Sequence, residues 1–157
     1  MKNQITFEQC DFKKKHHEAA FTQLLNHYMK DPMGDSEPID ALKQAELVSI
    51  WMNHGNAATL FVKVDDEYVG LVNYFYLIST FKVKPYVYIH DVIVHQSFRG
   101  KDLGRKLLEQ IIEIAKEKNC CKIMLEVRND NTPALSLYSS LGFEECSPRN
   151  YSWTKIL

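Results

Sequence analysis

The sequence predicts an α/β (α+β) chain: a central mixed, mostly antiparallel sheet of six to seven strands with helices on both faces. Three observations predict it. Several segments repeat apolar residues at helical spacing. Two β-rich runs, "TLFVKV" and "YVGLVNYFYLI", flank the turn "DDE" and read as a hairpin. A strand, an amphipathic helix and a second strand follow one another in the C-terminal half, which implies a parallel crossover. At 157 residues and 45% hydrophobic content, one domain spanning 1–157 is expected, with a core that needs neither disulfide nor metal.

The elements can be justified in order. "QITFEQCD" reads as a short first strand. "KHHEAAFTQLLNHYM" places Ala20, Phe21, Leu24, Leu25 and Tyr28 on one helical face. "DPMGDSEP" is a turn-rich loop. A second helix is expected from Ile39 to about Asn53, closed by "GNAA". The hairpin follows, then "STFKVKP" as a loop and "YVYIHDVIV" as a strand. Leu103, Leu107, Leu108, Ile111, Ile114 and Ala115 mark a helix ending near Lys118. "CCKIMLEV" is a strand. "NDNTPALSLYSSLG" is a short helix, with Thr132 able to cap it, Pro133 in its first turn and Gly142 at its end. "FEEC" and "YSWTKI" read as closing strands. The predicted order is β-α-α-β-β-β-α-β-α-β-β.

Composition excludes several classes. A net charge of −1 argues against a nucleic-acid-binding surface. No apolar run is long enough to span a bilayer, and the N-terminal stretch lacks a signal peptide's apolar segment. Cys10, Cys120, Cys121 and Cys146 lack metal-binding or redox spacing and read as reduced thiols in a cytoplasmic protein. No H-E-x-x-H pattern occurs among the histidines, so no metal is expected. His16, His17 and Glu18 read as an exposed helix face.

The stretch "SFRGKDLGRKLLEQ" is the most specific. A glycine-containing loop runs from a strand into a helix start, where unpaired N–H groups and the helix dipole favour an anion. Arg99, Lys101, Arg105 and Lys106 surround Asp102 there. The spacing is neither G-x-G-x-x-G nor a P-loop. On spacing alone, a phosphate cradle and a solvated basic helix start remain equal readings.

The run "VIVHQSFRGKDLGRKLL" resembles the acetyl-CoA-binding signature of the GNAT N-acetyltransferase superfamily, Q/R-x-x-G-x-G/A after an apolar strand. Arg99 and Gly104 match its ends, and Val92 and Val94 match the strand. A second segment, "NTPALSLYSSLGF", is similar to the family's N-x-x-A-x-x-L-Y-x-x-x-G-F, with Asn131, Ala134, Leu137, Tyr138, Gly142 and Phe143 in place. The look is closest to the diamine and small-amine branch. The resemblance implies the GNAT fold and acetyl-CoA as cofactor. Backbone groups of Val92, Ile93 and Val94 would pair with the pantetheine arm. The loop Arg99, Gly100, Lys101, Asp102, Leu103, Gly104 and Arg105 would hold the pyrophosphate. Asn131 would contact the cofactor, and Tyr138 would stand near the thioester sulfur. One position departs: the family's middle glycine is Asp102. Its charge opposes a phosphate, and its side chain could cap the helix through the N–H of Gly104 or Arg105. Asp nevertheless tolerates left-handed backbone.

The chemistry implied is direct transfer of an acetyl group to a primary amine of a small molecule: a polyamine, an aminoglycoside or an amino-acid-like compound. The amine must be neutral, the oxyanion needs a donor, and the leaving thiolate needs a proton. Tyr138 is the candidate acid, with a packing tyrosine as the plain alternative. His90 and Asp91 are the candidate bases, and strand alternation sends them to opposite faces. An imidazole has the better ordinary pKa, about 6.5; the branch carries an acidic residue just before or at the Asp91 position, and the resemblance implies that His90 occupies the position of the acidic base in its spermidine/spermine enzymes. Glu126 is a third candidate. The two N-terminal helices and "YFYLISTFKVKP" would wall the acceptor pocket, with Tyr74, Phe75, Tyr76, Phe81, Tyr86 and Tyr88 as aromatic lining or as core. Asp31, Asp35, Glu37 and Asp40 form an acidic loop that would attract a polycation or simply be solvated. A non-catalytic acyl-CoA-binding module and an enzyme acting on a protein or peptide amine are the alternatives. A homodimer is expected.

Overall fold

The structure, a computed structural model, describes residues 4–34 and 36–157. Its elements run β1 Ile5–Gln9, α1 Lys15–Met29, α2 Ala41–Asn53, β2 Ala57–Val64, β3 Glu67–Ser79, β4 Lys84–Val94, α3 Leu103–Glu117, β5 Ile123–Leu125 and α4 Thr132–Ser140. The chain forms two compact units, one ending at Glu126 and the other running Val127–Leu157. The fold class is the predicted α/β arrangement, but among the described residues the sheet has five strands, not six or seven, in the order β1-β2-β3-β4-β5. Neighbours are antiparallel except β4 and β5, which are parallel.

Each helix of the first unit follows from its apolar face. In α1, Phe21, Leu24 and Leu25 are buried and pack with Val48 of α2 and with Phe61, Leu71 and Ile93 of the sheet. Burying side chains of this size contributes roughly 1.5–3 kcal/mol each. Asp40 caps α2 by accepting from the N–H of Lys43 at 2.9 Å. The opposite face belongs to α3, whose buried residues are Leu103, Leu107, Leu108, Ile111 and Ala115. Alternation turns Leu60 and Val72 towards it.

His17 corrects the expectation of an exposed histidine face. It is fully buried. Its Nδ1 accepts the Asp11 N–H at 2.8 Å, and its Nε2 meets Glu8 Oε1 at 3.1 Å. Burial holds the His17 pKa below its ordinary value. Glu8 also accepts from Lys14 and Tyr68, and the Lys14 bond leads in lowering its carboxyl to about 2. The cluster fastens the start of α1, which has no side-chain cap of its own.

Other boundaries differ from expectation. "STFKVKP" is not a free loop: β3 runs to Ser79 and β4 begins at Lys84, leaving a tight turn. In the second unit Asn131, not Thr132, caps α4, accepting from the Ala134 N–H at 3.3 Å. Neither "FEEC" nor "YSWTKI" forms a strand. An alternating pattern supplies one face of a ladder, but a strand also needs partner N–H and C=O groups. Between these segments Pro148 has no N–H to give, and Glu145 pairs locally with Arg149 at 2.8 Å. No described helix is long and apolar enough to cross a membrane.

Candidate active site

The site is built where β4 outruns β5. Parallel pairing joins Val87, Ile89 and the residue between them to Ile123, Leu125 and Met124, and stops there. Beyond Ile89, β4 pairs only with β3 among the described residues. The His95 N–H donates to Val69 O at 2.8 Å. Antiparallel alternation therefore turns the backbone of Ile93 towards β3 and that of Val92 and Val94 outward. Of the three positions expected to meet a pantetheine arm, two face the open edge. The Val94 carbonyl already accepts from Arg99 Nε at 3.1 Å.

His90 and Asp91 sit at the mouth of this opening, and the structure brings them together. Asn73 pairs with Asp91, but Tyr74 pairs with Ile89, so His90 is the extra residue of a β-bulge. The bulge breaks the alternation that would have set the two side chains on opposite faces. His90 Nδ1 lies 3.1 Å from Asp91 Oδ1, with the His90 side chain 60% exposed and that of Asp91 18%. The Asp91 hydrogen bond leads in raising the His90 pKa, burial opposes it, and Glu126 adds to it. The second oxygen of Asp91 accepts from Asn73 Nδ2 at 2.9 Å. Asn73 Oδ1 accepts from Thr59 Oγ1 at 2.6 Å. Sequence reasoning passed over Thr59 and Asn73. The available signal was a single amide within the apolar run "GLVNYFYL".

Aromatic residues flank His90 selectively. Phe75 lies 6.1 Å from its ring, and Trp51 and His54 from the end of α2 each lie 5.1 Å from Phe75. Tyr88 is cross-strand from Phe75, and burial, then Glu126 and Asp91, push its phenol pKa up. The other expected wall residues are elsewhere. Tyr74 is core and hydrogen-bonds Gln9. Tyr76 packs on Tyr74, Phe81 is exposed at the hairpin turn, and Tyr86 lies under Lys122.

The acidic loop is largely committed to structure. Asp31 binds Arg99 Nη2 at 2.7 Å and accepts the Met33 N–H at 3.0 Å. The Met33 bond leads in lowering its pKa. Asp40 caps α2, Glu37 is exposed, and Asp35 lies outside the described residues. Arg99, expected in an anion cradle, thus ties the loop to the end of α1. His27 adds a second tie: its Nε2 accepts the Gln96 N–H at 3.2 Å, and its ring stacks on His95 at 4.1 Å.

The loop that follows has the backbone a close-lying anion needs. Gly100 takes φ 75° and Asp102 takes φ 58°. A Cβ at Gly100 would meet nothing within 4 Å. Asp102 makes no side-chain cap, so it does not occupy the first-turn N–H groups of α3. The feared competition between Asp102 and a phosphate for those donors is absent. Lys101 lies over the Phe98 ring at 4.7 Å. Asn131 and Tyr138 belong to the second unit. Asn131 spends its carbonyl oxygen on capping α4, and the half-buried Tyr138 packs its ring on Phe143. Glu126 ends the first unit, just past β5.

Comparison with known proteins identifies the family and the fold. Over 77 residues the chain is 32% identical to thialysine N-epsilon-acetyltransferase of Bos taurus, covering 49% of this chain and 45% of that protein. It is 33% identical over 91 residues to the N-alpha-acetyltransferase RimI of Mycobacterium tuberculosis, covering 54% and 56%. The chain thus spans about half the length of the curated relatives it matches. A solved structure of a probable acetyltransferase superposes with a TM-score of 0.82 at 17% identity, covering 98% of both chains. The model of the Acetyltransferase (GNAT) family matches residues 19–143, and the chain belongs to that family.

Proposed function

We propose that this chain is an acetyl-CoA-dependent N-acetyltransferase acting on the primary amine of a small molecule, with residues 1–157 working as a single GNAT domain. The observation that carries this reading is the His90–Asp91 pair set beside the unpaired edge of β4. The residues present fit acetyl-CoA. Val92, with the N–H of Val94, offers outward backbone groups for an extended amide-bearing arm. The positive-φ turn at Gly100 and Asp102 leads to helix N–H groups suited to a diphosphate. When bound, acetyl-CoA supplies an activated acetyl thioester.

The chain's own residues supply the rest. The Asp91 carboxylate accepts from His90 Nδ1–H, which leaves Nε2 as the proton acceptor facing solvent. An alkylammonium has an ordinary pKa near 10.4, so a base that collects its proton increases the reactive fraction. Phe75 and Tyr88 offer ring faces, and Glu126 negative charge, to a cation entering beside His90. Tyr138 is assigned the proton donor to the departing thiolate through its place in the family segment. The thialysine enzyme among the relatives supports a small-amine acceptor.

Acetyl-CoA titration by calorimetry, followed by a thiol-release assay over polyamines, aminoglycosides, amino acids and lysine peptides, tests this reading. Release with a small amine is the expected result. Binding without release across the panel would make the chain an acyl-CoA-binding module. Asp102→Gly should leave acetyl-CoA affinity unchanged or tighten it, since it removes a negative charge and a non-glycine residue at φ 58°. A large loss of affinity would contradict the loop's assigned role. Tyr138→Phe should lower kcat by about tenfold or more with little change in cofactor affinity. Equal losses in both would reduce Tyr138 to packing.

A further inference from the structure

The polar groups behind His90 form a continuous chain across the sheet. Thr59 on β2, Asn73 on β3 and Asp91 on β4 are direct cross-strand partners. Their side chains share the face that carries Phe61, Leu71 and Ile93. Thr59 and Asn73 are 2% and 1% exposed, next to the buried apolar row of Phe61, Leu71 and Ile93. A buried amide and hydroxyl are costly unless fully bonded. Here the bonds have one consistent direction. A carboxylate accepts only, so Asn73 must present its NH₂ to Asp91 Oδ2. Its carbonyl oxygen is then left to accept, and the Thr59 hydroxyl must donate to it. The Thr59 hydroxyl thereby fixes which way the Asn73 amide is turned. The amide fixes the rotamer of Asp91, and Asp91 Oδ1 meets His90 Nδ1.

We propose that Thr59 and Asn73 are positioning residues for acetyl transfer, holding Asp91 so that His90 keeps its proton on Nδ1 and presents Nε2 to the acceptor amine. The proposal rests on the reading of His90 as the base, and it adds a requirement that reading lacks. His90 is the bulged residue, freed from the strand ladder, and its side chain is 60% exposed. The Phe75 ring stands edge-on to it at 6.1 Å. The charged and titratable groups around it are Asp91 on its own strand, Glu126 past β5, Tyr88 two residues back, and His54 across Phe75. Asp91 makes a directed bond to the ring, its Oδ1 lying 3.1 Å from His90 Nδ1. The relay turns a solvent-facing imidazole into one with a defined tautomer, by anchoring its partner in the dry interior.

The test is nitrogen-15 NMR of the histidine side chains in the full, ligand-free chain, with the His90 signals assigned by their loss in His90→Gln. Wild type should show neutral His90 protonated on Nδ1 and a midpoint above 6.5. In Asn73→Ala, Asp91 is released, His90 becomes a tautomer mixture, and its midpoint falls towards 6.5. Thr59→Val, nearly isosteric, should shift both readouts the same way by less, and Thr59→Ser should restore them. Turnover in Asn73→Ala should fall roughly tenfold to a hundredfold with the KM for acetyl-CoA unchanged. Unaltered His90 tautomer and midpoint in a folded Asn73→Ala would overturn the relay. If that variant does not fold, the same result in Thr59→Val overturns it. If the NMR shifts occur but His90→Gln keeps full turnover, the base assignment is lost and the relay stands as a purely structural chain.

Discussion

Replacing His90 with glutamine is expected to lower amine acetylation by roughly a hundredfold to ten-thousandfold, the range over which a positioned general base contributes. Acetyl-CoA affinity should barely change, because the cofactor-facing groups assigned here are backbone atoms of Val92 and Val94 and the loop beyond. The pH profile carries the sharper signature. The hydrogen bond from Asp91 raises the His90 pKa above 6.5. A base works only when neutral, so kcat/KM should rise with pH through that raised midpoint and level above it. In His90→Gln the plateau should disappear and leave a continuous climb of about tenfold per pH unit, set by the amine's own ionisation near 10.4. Asp91→Asn should keep the plateau but move its onset to lower pH, because a neutral amide holds the imidazolium less strongly. Stability should respond in the opposite sense to rate. A folded-state pKa raised above the unfolded value contributes stability that is fully present below 6.5 and lost as pH climbs through the raised midpoint. An unchanged profile in His90→Gln would remove the imidazole from the chemistry and leave Glu126 to be tested.

The contrast between what the sequence revealed and what it concealed is physical. The bounds of α1 were legible because Ala20, Phe21, Leu24, Leu25 and Tyr28 recur at helical spacing within Lys15–Met29. The loop from Arg99 to Arg105 was legible because glycine, charge and the strand before it are contiguous. The His90 bulge was not. It exists because β4 carries one more residue than β3 between two paired positions, and no local pattern records a count that depends on the partner strand. Thr59, Asn73 and Asp91 lie 14 and 18 residues apart and meet only through register. Asp31 looked like a free carboxylate for a cationic ligand because its partner Arg99 is remote in sequence. His17 looked exposed because it sits beside three lysines, whereas the helix turns it inward. The closing strands were over-read for the same reason: alternation describes a segment's faces and says nothing of the edge it must join.

Gly70→Val should be strongly damaging although it touches no ligand. Gly70 lies on β3 opposite Val94. Its backbone has no positive φ, so the argument is one of space alone. A Cβ there would stand 2.6 Å from the carbonyl oxygen of Ile93 and 3.0 Å from Val62 Cγ1. Val62 can turn its methyl aside, but the Ile93 oxygen is main chain and is held in the β3–β4 ladder. Relief requires β4 to move, and the segment that moves is Ile93–Val94, next to the bond from the His95 N–H to Val69 O. Overpacking of this kind costs about 3 kcal/mol, at the upper end of its usual range. The same displacement carries away the open edge and its anchor at Arg99 Nε, so acetyl-CoA affinity should fall about tenfold even in the folded fraction. Urea unfolding and calorimetry at a temperature where the variant is folded separate the two losses. A variant that unfolds like wild type would mean β4 yields at little cost. The close approach of β3 would then not be what holds the cofactor-facing edge in place.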